Sequence, residues 1–315
     1  MRALHVPAAG EQPQVSDVPT PTVTEGTVLI RVKAAGLNPI DNAIAAGMLA
    51  AMMPHDYPVI LGRDAAGIVR EVGEGVDHVK VGDEVFGHVL LAPPIQAGTL
   101  AEYALLPAAA VALKPADLDF VTAAALPLAG TAASAAVDAI DPQPGETVLV
   151  NGASGGVGSY VVQLLKARGV NVVATGTAED TERLRALGAD TVVDYSASSV
   201  ADQIRATYRD GVDALINLAG YTAADVPLDA VRTGGRVATT TGAPDDETFT
   251  ALGLTGTSIM ARPVQEVIAH LAEQVASGSL KVHVGDVLIL DQAAEGLATL
   301  AVGNARGKIV VTISD

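Results

Sequence analysis

Near the middle of the chain, Val148–Ser159 reads VLVNGASGGVGS. An apolar run suited to a buried strand stops at Asn151, and Gly152, Gly155, Gly156 and Gly158 crowd the positions that follow. Helix-forming residues resume directly afterwards, up to Arg168. The chain must therefore leave a strand, turn a corner on nearly bare backbone and enter a helix. The first turn of a helix carries N–H groups without intrahelical partners and a partial positive charge. Glycines at such a corner let the oxygens of a phosphate come close to the backbone. Ala153-Ser-Gly155-Gly-Val-Gly158 fits the dinucleotide pattern G-x-G-x-x-G with alanine in the first place. Gly152, Ala153, Ser154, Gly155, Gly156, Val157 and Gly158 are thus the candidate pyrophosphate cradle.

The flanking sequence supports that reading. From about Asp119, strand-like segments Thr147–Asn151, Asn171–Thr175, Thr191–Asp194, Val212–Leu218 and Arg236–Thr240 alternate with helix-like ones. Those helices are expected at Gly156–Arg168, Glu179–Leu187, Ser198–Tyr208 and Ala223–Val231. Regular alternation of this kind predicts βαβ units and a Rossmann doubly wound parallel sheet, an α/β fold. The first third instead reads as β-rich, with Thr27–Ala34, Ala66–Val72 and Leu100–Leu106 punctuated by Gly36, Pro39, Gly73, Gly82 and Pro107. The tail is mixed: helix Val264–Ala276, strand Val282–Leu290, helix Gln292–Ala301 and strand Lys308–Ile313. The expected partition is a dinucleotide-binding domain over 120–261 and a second domain made of 1–119 with 262–315.

Composition narrows the chemistry. With 19 basic and 36 acidic residues the net charge is -17, which argues against nucleic-acid or anionic-membrane partners. The absence of cysteine removes disulfides, thiolate catalysis and every cysteine-ligated metal. His5, His55, His78, His88, His270 and His283 show no paired ligand spacing, and Asp245-Asp246-Glu247 reads as an exposed loop. The opening MRALHVPAAGEQP has no apolar leader, and the uncharged Phe120–Val137 is Ala-rich and interrupted by Pro127 and Gly130. A cytoplasmic protein is expected.

The ribose end of the cofactor is less sharply written. An NAD-preferring site places a carboxylate at the tip of the second strand, whereas here Thr175-Gly176-Thr177 stands there. Threonine hydroxyls tolerate a 2′-phosphate and favour NADPH, with NADH possible. Glu179 and Asp180 would oppose a phosphate if they faced it, and Arg183 and Tyr195 would offset that. As residues opening the next helix, the two acids are also accounted for by its dipole.

Other segments fall in a recognisable order around the glycine loop. They are Ala35-Gly-Leu-Asn-Pro-Ile-Asp41, Gly62-Arg-Asp-Ala-Ala-Gly67, Val81-Gly-Asp-Glu-Val-Phe86 and Gly98-Thr-Leu-Ala-Glu-Tyr103, then Ala124–Gly130, Gly234–Val237 and Arg306–Val310. Together they resemble the zinc-free quinone oxidoreductases, relatives of zeta-crystallin within the medium-chain dehydrogenase/reductase superfamily. The resemblance spans essentially the whole chain. It implies a GroES-like β-rich substrate domain, a Rossmann domain and NADPH in a cleft between them. It also implies reduction of a small-molecule quinone or other conjugated carbonyl, and a homodimer or homotetramer built by sheet-edge pairing at Leu252–Ala261. Zinc alcohol dehydrogenases carry Gly-His-Glu where this chain has Gly62-Arg63-Asp64, so a zinc Lewis acid is excluded on residue type.

The resemblance also assigns residues. Asn38 and Asp41 match family positions beside the nicotinamide. Asn38 is the first candidate to hydrogen-bond the carboxamide or a substrate carbonyl, and Asp41 could orient a neighbour; the alternative for both is a turn with an N-cap. Tyr57 and Arg63 are further candidate donors to an acceptor oxygen. Thr131 is a shifted candidate for the nicotinamide pocket, Tyr195 matches a tyrosine near the adenosine phosphate, and Asp180 stands where a lysine is usual. Leu218, Gly242 and Arg306 complete the cofactor side. Ala43 and Ala45 replace a frequent Tyr and Arg, which implies a roomier, more apolar substrate pocket. Two alternatives remain: reduction of 2-enoyl thioesters, and a nucleotide-binding regulatory or structural protein with little turnover.

Overall fold

The computed structural model describes residues 1–303 and 305–313. It divides into two compact units, Met1–Thr131 with Arg262–Asp315, and Ala132–Ala261. In the first stretch come β1 (Arg2–Val6), β2 (Gln14–Asp17), β3 (Thr27–Gly36), α1 (Pro39–Ala45), β4 (Val59–Ile60), β5 (Asp64–Val72) and β6 (Glu84–His88). β7 (Tyr103–Pro107), β8 (Val111–Leu113), α2 (Phe120–Ala124) and α3 (Pro127–Ile140) follow. The second unit then holds β9 (Thr147–Asn151), α4 (Gly156–Ala167), β10 (Asn171–Gly176), α5 (Thr181–Ala186), β11 (Thr191–Asp194), α6 (Val200–Thr207), β12 (Val212–Asn217), β13 (Val231–Thr239), α7 (Asp246–Ala251) and β14 (Thr255–Ser258). The chain returns through α8 (Gln265–Ala276), β15 (Val284–Ile289), α9 (Ala293–Ala301) and β16 (Lys308–Thr312).

The first unit is built on a seven-stranded sheet, β15-β16-β3-β5-β6-β8 with β7 paired on β3, and a small sheet β2-β1-β4. Its core is aliphatic, gathered around Leu4, Ile30, Leu61, Leu100, Leu106 and Ile309. β16 lies antiparallel to β3, with Val311 opposite Ala35, so the tail forms part of this sheet. The unit keeps α2, which the sequence partition placed in the other domain. Gly36 has room for no side chain because the Ala124 carbonyl oxygen would lie 2.3 Å from a Cβ there, and Lys114 Nζ stands 5.2 Å from the Phe120 ring centre.

The second unit carries six strands in the order β11-β10-β9-β12-β13-β14, parallel throughout. β9 and β12 are apolar almost end to end, as strands covered on both faces are. Numbered along the chain, the order is 3-2-1-4-5-6, and the winding direction reverses between β9 and β12. At that reversal the loops leaving the strand ends part, which gives the crevice in which doubly wound folds take ligands.

Two local expectations fail for identifiable reasons. Ala223–Val231 forms no α-helix but two short 3₁₀ turns, Ala223–Asp225 and Leu228–Ala230. Pro227 between them has no N–H and disfavours a helical Val226, and β13 accordingly starts at Val231. The acidic run at 245–247 is not a loop but the start of α7, where the Asp245 side chain accepts the Thr248 N–H at 2.9 Å.

Candidate functional site

The glycine corner of the second unit is built from backbone. Gly152 has φ +84, a left-handed conformation natural to glycine, and its N–H donates to Thr175 Oγ1 at 2.9 Å. Gly158 sits so deep in the turn that a Cβ would meet the Gly152 carbonyl oxygen at 2.3 Å and Ala153 Cα at 2.5 Å. Gly155 is different. It is the N-cap of α4, no side chain caps the helix, and a Cβ would find only the Gly152 oxygen at 3.5 Å. A side chain at 155 would fill the space over the first-turn N–H groups, the space that a bound diphosphate needs. The residues present therefore fit a dinucleotide phosphate.

Around this corner the ends of β9, β12 and β13 are joined by buried amides that the motif did not reveal. Asn151 Nδ2 donates to Asn217 Oδ1 at 2.9 Å and to the Ala219 carbonyl at 2.8 Å. Asn217 Nδ2 faces Thr239 Oγ1, Thr241 Oγ1 and the Ala243 carbonyl at 3.1–3.2 Å. The sequence signal was available: each asparagine closes a strand directly after three apolar residues, Val148-Leu-Val150 and Ala214-Leu-Ile216.

At the end of β10 the threonines take tasks other than the one expected of them. Thr175 is buried and supports Gly152, and the Thr177 hydroxyl donates to Asp180 Oδ2 at 3.0 Å. Asp180 is turned inward, accepting also the Thr177 N–H at 3.0 Å and Arg183 Nη2 at 2.9 Å. Although burial alone would raise its pKa, these hydrogen bonds and the Arg183 charge hold the carboxyl below its ordinary value. Arg183 Nη2 also donates to the Ser154 carbonyl at 3.0 Å, while Nη1 is buried without a protein partner. One guanidinium thus bridges the glycine loop and the tip of the second strand. Tyr195 is 54% exposed, and Gly242 has φ +76 with open space where a Cβ would be. The Leu218 N–H donates to the Asn151 carbonyl at 2.9 Å.

The first unit gathers a second set of groups, this time side chains, and buries nearly all of them. Asn38, Asp41, Arg63, Asp64, His88 and Lys308 are each no more than 5% exposed. Asp64 is the hub: Oδ1 accepts from His88 Nδ1 at 2.7 Å, Oδ2 from Asn38 Nδ2 at 2.9 Å, and the Leu128 N–H approaches both oxygens at 3.2 and 3.3 Å. Lys308 Nζ donates to the Leu37 carbonyl at 2.8 Å and Asn38 Oδ1 at 2.6 Å, and lies 4.0 Å from Asp64. Burial pushes the Lys308 pKa down, opposed by Asp64 and Asp41. Asp41 Oδ2 accepts the Asn38 N–H at 2.8 Å at the start of α1, and Oδ1 is buried without a partner. Burial raises the Asp41 pKa from 3.8 to about 6 against the pull of Arg63.

Of the residues expected to act on substrate, Asn38 and Asp41 meet in this cluster. Arg63 is 1% exposed, and its guanidinium donates to the Ile60 and Ala97 carbonyls, which makes it an internal brace for the 60–97 loops. Tyr57 is half-buried and stacks on His55 with ring centres 6.1 Å apart, away from the cluster's hydrogen bonds. The Thr131 hydroxyl is buried without a protein partner, and Arg306 is exposed beside Gly307. Asp64, His88 and Lys308 were not among the expected site residues. Two of them left a trace: Asp64 in the Gly62-Arg63-Asp64 segment, and Lys308 as a lysine opening the otherwise apolar strand Lys308-Ile-Val-Val-Thr312.

Sheet order, switch point and glycine turn define a dinucleotide-binding α/β unit, and comparison with known proteins agrees. Residues 24–116 match the alcohol dehydrogenase GroES-like domain and residues 187–311 the zinc-binding dehydrogenase family. The metal in the second description has no counterpart set here: the chain has no cysteine, and among the described residues no three His, Asp or Glu side chains are grouped to hold an ion. An NADPH-dependent alkenal/one oxidoreductase of Arabidopsis thaliana is 33% identical over 94% of this chain and 74% of its own length. A chloroplast envelope quinone oxidoreductase homolog from the same plant is 32% identical over 93% and 92%. The structure of the quinone oxidoreductase from Coxiella burnetii superposes with a TM-score of 0.89 at 27% identity, covering 100% of this chain and 99% of that one. The chain belongs to the zinc-free quinone oxidoreductases of the medium-chain dehydrogenase/reductase superfamily. Among the described residues no helix is long and apolar enough to cross a membrane.

Proposed function

We propose that the protein reduces quinones and other conjugated carbonyls at the expense of NADPH. The observation that carries this reading is the open N-terminus of α4, uncapped at Gly155 and flanked by Arg183. The relatives add the chemistry, since those matched are named for quinones and for alkenals and enones. Bound at that corner, the reduced nicotinamide would supply a hydride to the carbonyl acceptor. In this reading the loop amides hold the diphosphate, and Arg183, which bridges the Ser154 carbonyl and Asp180 at the tip of the second strand, is the cation available to a 2′-phosphate, which supports NADPH over NADH. Quinol and enolate oxygens exchange protons readily with water, so the reaction needs no dedicated acid. β14 is an outer strand of the six-stranded sheet, and its edge suits pairing with a second copy of the chain into a homodimer.

NADPH oxidation assayed with a naphthoquinone, a short enone and crotonyl-CoA tests the reading. Turnover is expected with the first two and not with the thioester. Tight NADPH binding with no oxidation by any acceptor would overturn it in favour of a nucleotide-binding role.

A further inference from the structure

We propose that Asn151-Gly152 is a latent deamidation site whose product the glycine corner does not tolerate, and that Thr175 keeps it silent by holding the backbone nitrogen that would start the reaction. The Asn-Gly pair occurs once in the chain, at the point where β9 enters the corner. Only groups of the second unit take part, and none of them depends on which substrate is reduced.

Asparagine before glycine is chemically labile because no side chain shields the nitrogen that follows. The Gly152 nitrogen attacks Asn151 Cγ, its proton passes to the departing Nδ2, the Cγ–Nδ2 bond breaks and ammonia leaves. Water then opens the five-membered ring at one carbonyl or the other, leaving aspartate or isoaspartate at 151. The nitrogen must give up its proton and the 151–152 peptide must swing towards the side chain, and here each move is opposed. The Gly152 N–H donates to Thr175 Oγ1 at 2.9 Å, and the Asn151 carbonyl of the same peptide accepts the Leu218 N–H at 2.9 Å. The leaving nitrogen is held by Asn217 Oδ1 at 2.9 Å and the Ala219 carbonyl at 2.8 Å. Strand pairing sets Asn151 opposite Asn217, and Asn151 is 9% exposed, which restricts water. Of these ties only the one from Thr175, itself buried, is made to the attacking nitrogen. Its hydroxyl is 3.4 Å from Asn151 Oδ1, too far to polarise that carbonyl strongly. Conversion would damage the corner. An aspartate at 151 meets Asn217 Oδ1 and the Ala219 carbonyl, acceptors where a carboxylate needs donors. Asn217 could offer an N–H only by turning its oxygen on the Ala243 carbonyl.

The test incubates the full chain at mildly alkaline pH and measures aspartate and isoaspartate at 151 by mass spectrometry, with the urea-unfolded chain as the unprotected reference. Native wild-type protein is expected to convert at least about a hundredfold more slowly than the unfolded chain, since several hydrogen bonds must break together. Thr175→Val removes the acceptor at nearly constant shape and should convert about tenfold faster than wild type, the size of one hydrogen bond. Thr175→Ser keeps the oxygen and should stay slow. If a melting curve shows the valine variant unfolded, Thr175→Ala reads the same contact. Asn151→Asp, one of the two products, should melt below wild type. Native wild-type protein that converts as fast as the unfolded chain overturns the proposal without need of any variant. So does a folded Thr175→Val protein as slow as wild type, a folded Thr175→Ser protein as fast as the valine variant, or an Asn151→Asp protein that melts with wild type.

Discussion

The two units present chemistry in opposite ways. In the second, the candidate site is backbone: a corner of glycines at the head of α4, with the space over Gly155 left open. In the first, it is side chain: Asn38, Asp41, Asp64, His88 and Lys308 come from distant parts of the chain and are buried together. A backbone site needs correct curvature and tolerates whatever lies outside it. A buried polar cluster needs every member, since removing one leaves its partners charged or unpaired in the interior. The first kind should therefore fail in binding, and the second in stability.

The largest expected effect tests the second half of that contrast. Asp64→Ala strands His88 Nδ1 and Asn38 Nδ2 and removes the carboxylate 4.0 Å from the buried Lys308 amine. Chemical denaturation should show a loss of about 3–5 kcal/mol, typical of a broken buried ion pair. A loss below about 1 kcal/mol would show that water replaces the carboxylate, and the contrast would dissolve. Paired substitutions in the glycine loop test the first half. Gly158→Ala drives a Cβ into the Gly152 carbonyl and should distort the turn, lowering both melting temperature and NADPH affinity. Gly155→Val meets no such obstacle, and its N-cap dihedrals of φ -77 and ψ 179 suit valine. It should keep the wild-type melting temperature within a few degrees yet weaken NADPH binding by about a hundredfold. Equal affinities for wild-type and Gly155→Val protein would show that the diphosphate sits elsewhere.

The same contrast explains what could be read in advance. The alternation of strands and helices after Asp119 gave β9, β10, β11 and β12 to within a residue, because buried parallel strands are continuous apolar runs bounded by turns. The glycine loop was legible because its requirement, missing side chains at fixed spacing, is written in one short segment. Asp64 and Lys308 were not, for their meaning lies in a pairing across 244 positions that only the packing of β16 on β3 and of β3 on β5 creates. Thr175 and Thr177 show a related limit. Local sequence placed hydroxyls at the tip of β10, but which way each one pointed was decided by Gly152 and Asp180.

Arg183 lies between the two extremes, a side chain serving a backbone site. Held by Asp180 and the Ser154 carbonyl, it is the cation nearest the glycine loop in these hydrogen bonds. Arg183→Ala should weaken NADPH binding about ten- to hundredfold, the range of a hydrogen bond to a charged group, and leave NADH within about twofold. Parallel titrations measure both. Equal losses for the two nucleotides would mean that Arg183 only shapes the loop, and the glycine corner would then bind without side-chain help.

The smallest effect concerns Asp41, a fully buried carboxyl of the first unit. Its pKa is raised from 3.8 to about 6 by burial, and by Asp64 to a lesser extent, against Arg63, the Asn38 N–H and Lys308. Between those two values the folded protein holds a proton that the unfolded chain has already released. Stability from this group is therefore present below about pH 4 and is lost as pH rises to about 6. Asp41→Asn cannot ionise and keeps an oxygen for the Asn38 N–H. Its melting temperature relative to wild type should climb by a few degrees across that window and level off above it. Taking the difference between the two proteins cancels the opposite trend from surface carboxylates such as Asp190 and Asp213, whose pKa values are lowered by their partners although burial opposes this. A difference independent of pH would mean that Asp41 stays charged at both ends of the window, and that the first unit's interior tolerates an ion as readily as the second unit's rim does.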